Sequence, residues 1–131
     1  MARILIAEDE DGVREFLTRA LVHVGYEVTA VADGSEALQA LQGASFDLLL
    51  TDIVMPELDG VALALKATKD YPDLRIVLMT GYASEQARAH NLDALVHEVV
   101  SKPFSMSEIC AVVKSALAAP VSGDRVSGRP R

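Results

Sequence analysis

A single cysteine, Cys110, serves 131 residues. An internal disulfide is therefore excluded, and the composition suits a reducing compartment. Cys110 falls in the apolar register of a helix and reads as core filler. No apolar run approaches the ~20 residues that cross a bilayer. Met1-Ala2-Arg3 leads into a short strand rather than a signal peptide, so a cytoplasmic location is expected. The histidines His23, His90 and His97 are too scattered to form a metal set and read as surface residues. No Ser-His-Asp, Cys-His or phosphate-cradling glycine-rich motif occurs. Positive charge is in deficit: the net charge is −7, and the chain before its last dozen residues stands near −9. A domain so acidic repels nucleic acid and anionic membrane, so neither is expected as a partner.

What the chain does have is an alternation of strand and helix signals from Arg3 to Ala119, long enough for one domain with a real core. Ile4 to Ala7, a β-branched run from Glu27 to Val31, Phe46 to Thr51, Leu74 to Met79 and Val96 to Ser101 read as strands. Apart from the second, these runs are too short for helices and apolar enough for strands buried on both faces. Between them, Val13, Phe16, Leu17, Ala20, Leu21 and Val24 recur at helical spacing before Gly25. A second helix starts at Asp33-Gly34-Ser35-Glu36, a capping-box variant, and stops at Gly43. A third spans Val61 to Tyr71, and a weaker, more polar one runs from Ser84 to Asn91. The last opens on the capping box Ser105-Met106-Ser107-Glu108 and is expected to bury Met106, Ile109, Cys110, Val113 and Leu117. The pattern predicts a (βα)5 domain over 1–119, followed by a flexible tail over 120–131, whose Pro, Gly, Ser and Arg cannot bury enough surface to fold.

Four apolar runs end on polar residues: Glu8-Asp9, Asp52, Thr80 and Lys102. In an open parallel sheet, ligands bind outside the carboxyl ends of the strands. Three carboxylates, a hydroxyl and an ammonium at one sheet edge suit a divalent cation and a phosphoryl group. A hard ion such as Mg²⁺ takes oxygen ligands and is held by one or two carboxylates. Taken alone, the acidic run Glu8 to Asp11 could equally decorate a helix N-terminus. Asp52 lies inside an apolar stretch, where a carboxylate needs a cation or a hydrogen-bond network. With a bound cation it can act as a nucleophile toward phosphorus. Thr80-Gly81 in isolation marks a turn. Lys102-Pro103 places a point charge that can pair with Asp52 before phosphate arrives and with phosphate afterwards, next to a tight turn that admits a cis peptide bond.

Taken in order, Glu8-Asp9, Asp52-x-x-Met55-Pro56-x-x-Asp59-Gly60, Thr80-Gly81 and Lys102-Pro103 closely resemble bacterial response-regulator receiver domains, over Arg3 to Ala119. The resemblance implies the flavodoxin-like, doubly wound α/β fold, with a parallel five-stranded sheet in the order 2-1-3-4-5. It implies that Asp52 accepts a phosphoryl group from a histidine kinase or phosphotransfer protein. Mg²⁺ would be held by Glu8, Asp9, Asp52 and the Val54 carbonyl, with Thr80 and Lys102 binding phosphoryl oxygens. A stand-alone receiver is expected, acting through a downstream protein that binds the face from Ser84 to Ala118. The run from Ala87 to His97 is similar to that of single-domain cell-cycle regulators associated with control of an AAA+ protease. Two departures stand out. Where many receivers carry Tyr or Phe three residues before the lysine, this chain has Val99. Val54 and Tyr82, two residues beyond the acceptor and the threonine, are poorly suited to position a hydrolytic water, so slow self-dephosphorylation is expected. A small Mg²⁺-dependent phosphatase using Asp52 as a transient nucleophile, and a receiver-like module that binds without phosphorylation, are the alternative readings.

Overall fold

The computed structural model describes residues 1–81, 85, 88–89 and 96–119. Within them the apolar runs form β1 (Arg3–Ala7), β2 (Glu27–Val31), β3 (Leu48–Asp52), β4 (Arg75–Thr80) and β5 (Glu98–Ser101). All pairings are parallel, and the strands lie in the order β2-β1-β3-β4-β5. The helices among the described residues are α1 (Asp11–His23), α2 (Gly34–Gly43), α3 (Gly60–Asp70) and α4 (Met106–Ala118). This is the flavodoxin-like, doubly wound arrangement, as expected. The helix predicted from Ser84 to Asn91 lies largely outside the described residues. Its described members, Glu85, Arg88 and Ala89, are helical. The tail predicted from Pro120 lies outside them entirely.

The two-residue period of a strand divides the core into two layers. Ile4, Ile6, Leu48, Leu50, Val77 and Met79 join Leu17, Leu21, Ile109 and Val113 on the side of α1 and α4. Leu5, Ala7, Leu49, Ile76 and Leu78 join Leu41, Leu63, Ala64 and Ala89 on the other. β3 is buried along its whole length, which explains its opening run Leu48-Leu49-Leu50 and makes the buried Thr51 and Asp52 that follow conspicuous. β5 is not: Val100 is buried, Val99 half-buried and Ser101 exposed. The expectation of burial on both faces fails there because β5 has a strand neighbour on one side only.

The helices start and stop where the sequence punctuates them. Gly25 adopts φ 106° just beyond α1, in the left-handed region that glycine tolerates. Asp33 caps α2 by accepting from the Glu36 N–H at 2.8 Å, whereas Glu36 reaches back past Asp33 to the Ala32 N–H at 2.9 Å. Ser105 and Glu108 form the full reciprocal box of α4. Five side chains depart from expectation. The stripe of α4 that faces the sheet is Ile109, Val113 and Ala116, so Met106 is 46% exposed while Cys110 and Leu117 are half-buried. Val24, one residue past α1, is exposed. His97 is no mere surface residue: its Nδ1 accepts from the Ile76 N–H at 3.1 Å while its own backbone N–H donates to the Ile76 carbonyl.

The loop leaving β3 is held by close backbone approach. The Gly60 N–H donates to the Ile53 carbonyl at 2.7 Å, and a Cβ on Gly60 would stand 2.0 Å from the Asp52 carbonyl oxygen. Within the loop Glu57 has φ 71°, and the Leu58 N–H donates to the Pro56 carbonyl at 2.8 Å, a strained tight turn. Gly60→Ala is expected to destabilise the protein by ~3 kcal/mol, because backbone must move to admit the methyl group. Glu57→Gly is expected to stabilise it by ~0.5–1 kcal/mol by relieving the positive φ. Urea unfolding of the two variants checks both signs.

Candidate functional site

Parallel register brings the strand ends level. Ala7 pairs with Thr51, Asp52 with Met79, and Thr80 with Ser101, so Glu8, Asp52, Thr80 and Lys102 converge on one edge. The Lys102 N–H donates to the Thr80 carbonyl at 2.7 Å, fixing where the lysine departs from β5. Its side chain, half-buried, turns across the sheet edge: Nζ lies 3.0 Å from Glu8 Oε1 and 3.1 Å from Asp52 Oδ2. The Lys102–Pro103 peptide is cis, as the sequence allowed.

The remaining lone pairs of the two acids are partly engaged. Asp52 Oδ1 accepts from the Ile53 N–H at 3.0 Å, and Glu8 Oε2 from the Glu10 N–H at 3.0 Å. Glu8 is fully buried and Asp52 nearly so, whereas Asp9 is exposed. One oxygen from each of the three carboxylates falls within a 4.8 Å cluster. Three acids around one ammonium leave a deficit of positive charge. Burial pushes the Asp52 and Glu8 carboxyls above the usual range, against the pull of their bonds to Lys102. Burial alone would depress Lys102, but its hydrogen bonds to Glu8 and Asp52 outweigh that and raise it.

The cluster fits a hard divalent cation: its donors are all oxygen, and a cation would relieve the desolvation that disfavours both buried carboxylates. Thr80 adds a second sign of an absent oxygen ligand. Its hydroxyl is buried and has no hydrogen-bond partner among the described residues, an arrangement that costs free energy unless something accepts from it or donates to it. Beside Asp52 runs a cleft lined by Val54, Gly81, Glu85, Lys102, Pro103 and Phe104. Val54 is 54% exposed at its rim, and Tyr82 lies outside the described residues. Phe104 stacks on Phe16 with centroids 6.3 Å apart, which ties the lysine-bearing turn to α1.

Two contributors escaped the sequence. Glu85 is 7% exposed and its Oε1 accepts from the Gly81 N–H at 2.7 Å. Arg88 Nη2 meets Asp59 Oδ2 at 2.7 Å, and Asp59 also caps α3 by accepting from the Ala62 N–H. Burial would raise the Asp59 carboxyl, but those two bonds hold it below the usual range. In sequence, Glu85 and Arg88 are charges in a polar helical stretch and look like a solvated face; no local signal points to their partners.

With the geometry in place, comparison decides the family. Residues 4–114 match the response regulator receiver domain. The chain belongs to the receiver-domain family. It is 43% identical over 119 residues to the response regulator receiver protein CpdR of Brucella abortus, covering 91% of this chain and 99% of that one. It is 40% identical to a segment of the sensor kinase CckA of the same organism, where the match takes in 12% of the kinase. Among solved structures it is similar to the response regulator TrrA of Thermotoga maritima in complex with Mg²⁺ and BeF, with a TM-score of 0.81, 33% identity, and 88% of this chain and 99% of that one covered. Like CpdR, this receiver has a match that spans nearly the whole relative. No helix among the described residues is long and apolar enough to cross a membrane.

The raised carboxyls set a pH dependence. Groups whose folded-state values are raised favour folding at low pH and cost stability as pH rises through those values. In the metal-free receiver at neutral pH, Asp52→Asn is therefore expected to stabilise the fold, because it removes a carboxylate whose charged form burial disfavours. It should also flatten the loss of stability with rising pH. Added Mg²⁺ is expected to raise the stability of wild type and to do much less for the variant. Urea unfolding as a function of pH, with and without the ion, measures all three effects.

Proposed function

We propose that this receiver accepts a phosphoryl group on Asp52 and uses it to switch protein binding. The observation that carries the reading is the Asp52 carboxylate lying 3.1 Å from Lys102 Nζ, at the same strand-end edge as the buried hydroxyl of Thr80, which has no hydrogen-bond partner among the described residues. The donor is a phosphohistidine on a histidine kinase or phosphotransfer protein. An Asp52 oxygen forms the new O–P bond as the P–N bond of the donor breaks. The imidazole leaves with that bond's electron pair and takes up a proton. Lys102 and Thr80 then hold phosphoryl oxygens, the lysine exchanging part of its bond to Asp52 for one to phosphate. Glu8, Asp9, Asp52 and the Val54 carbonyl would hold Mg²⁺, which when bound would supply positive charge against the transferring group. The likeness to CpdR and to a segment of a sensor kinase supports a place in a histidine-to-aspartate relay.

The output is binding of a downstream protein at the face formed by the Ser84–Asn91 stretch, β5 and α4, part of which lies outside the described residues. Likeness to CpdR and the Ala87–His97 run favour a target system that includes an AAA+ protease. The working unit is residues 1–119, in the cytoplasm. A phosphatase reading draws on Glu85, an acid lining the cleft. Its carboxylate is already bonded to Gly81, and apolar Val54 stands at the rim, so sustained turnover is not expected. Multiple turnover of a small phosphomonoester would reverse that preference.

Incubated with a labelled phosphoramidate and Mg²⁺, wild type is expected to retain acid-stable, base-labile label. Asp52→Asn should retain none, and Thr80→Ala should still accept label while losing the change in partner binding. Label on Asp52→Asn overturns the assignment. Val54→Asn is expected to shorten the acyl-phosphate lifetime several-fold by adding an amide that orients water; an unchanged lifetime contradicts that role.

A further inference from the structure

Of the three buried carboxylates among the described residues, Glu8 and Asp52 have tasks in phosphoryl acceptance and Glu85 has none. Yet Glu85 is placed with care. Gly81 follows Thr80 at the end of β4, and its N–H points to Glu85 Oε1 at 2.7 Å. Gly81 and Glu85 line the same cleft as Asp52 and Lys102. A backbone N–H that already holds one carboxylate at short range is an anion-binding group at the mouth of the acceptor site. Glu85's charge reaches Asp52, adding to the effect of burial on that carboxyl.

Three residues further on, Arg88 holds Asp59, the cap of α3 at the end of the loop that leaves Asp52. The neighbouring Ala89 is fully buried in the core with Ile76, Leu78 and Val96. The helical residues Glu85 and Arg88 are thus tied to both loops that flank the acceptor, one through an anion and one through a cation.

We propose that Glu85 is an internal stand-in for the phosphoryl group: it occupies the Gly81 N–H in the unphosphorylated receiver, and phosphorylation of Asp52 expels it. The proposal rests on Asp52 being the acceptor. One N–H cannot serve a carboxylate and a phosphoryl oxygen at once at full strength. A phosphoryl group also places new negative charge in a cleft that already holds Glu85, where low dielectric magnifies repulsion. Expulsion of Glu85 frees the turn that carries Arg88, so the signal leaves the site by charge. With Val99 at the position where an aromatic ring is common, that route does not depend on a ring swing.

The test uses the full chain, Mg²⁺ and fluoroberyllate, with wild type, Glu85→Ala, Glu85→Gln and Asp52→Asn, read by isothermal titration and by the Gly81 amide resonance. In the free protein, Glu85→Ala is expected to move the Gly81 amide and speed its hydrogen exchange. On loading, wild type and Glu85→Ala should converge on one Gly81 shift, because the acceptor is then the same in both. Glu85→Ala should bind fluoroberyllate about tenfold tighter than wild type. Glu85→Gln, which keeps size and one bond but not charge, should bind about threefold tighter and decides the matter if the alanine variant does not fold. Equal affinities within twofold, or a loaded wild type whose Gly81 shift stays at its free value, overturn the proposal while leaving Asp52 as acceptor. If wild type takes up no more fluoroberyllate than Asp52→Asn, the acceptor assignment and the stand-in fall together.

Discussion

One ammonium shared by two buried carboxylates organises this molecule. Lys102 bridges Glu8 and Asp52, which come from residues 94 and 50 positions away. Removing the lysine would leave two uncompensated charges in the interior, a change that typically costs ~3–5 kcal/mol for a buried pair. The lysine does not complete the charge balance either, since Asp9 joins the same cluster. The site is therefore stable enough to fold and still short of positive charge, which suits it to take a divalent cation and then an anion between them.

The rest of the fold serves that geometry. β3 is central and buried throughout, so Asp52 at its end, the proposed acceptor, is rigidly held. The glycines at the start of α2 and α3 let backbone pack closely around the loop that leaves β3: a Cβ on Gly34 would stand 2.1 Å from the Leu58 carbonyl, and one on Gly60 would meet Asp52's own carbonyl oxygen. β5, by contrast, is a half-exposed edge strand carrying the lysine. A rigid acceptor beside a less buried readout is the arrangement a switch needs, because arriving charge can then move the edge without loosening the centre.

Much of this was legible in the chain because strands buried on both faces must be apolar, so an aspartate closing Leu48-Leu49-Leu50-Thr51 stands out. The same logic placed Glu8, Thr80 and Lys102 at one edge, and the spacing of glycines and caps located α1, α2 and α4 within a few residues. What escaped has physical reasons. An apolar run does not reveal whether a strand has one neighbour or two, so the sequence of β5 alone suggests full burial. Helical periodicity placed Met106 in the core although its turn lies at the exposed start of α4. His97 looked like surface because nothing local signals that Nδ1 replaces a carbonyl at the end of a ladder. Glu85 looked solvated because its partner is a backbone N–H, and backbone donors leave no trace in composition. Receiver resemblance supplied roles for the strand-end residues, whereas Glu85 became visible only through its distance to Gly81.

The central claim is that Asp52 carries the phosphoryl group, and chemical trapping tests it most directly. Wild type treated with a phosphohistidine donor and Mg²⁺, then reduced with borohydride and sequenced by mass spectrometry, should show homoserine in place of Asp52 and nowhere else. Homoserine at another aspartate such as Asp9, 5-hydroxynorvaline at Glu8, or no reduction product in protein that has consumed the donor, would contradict the account.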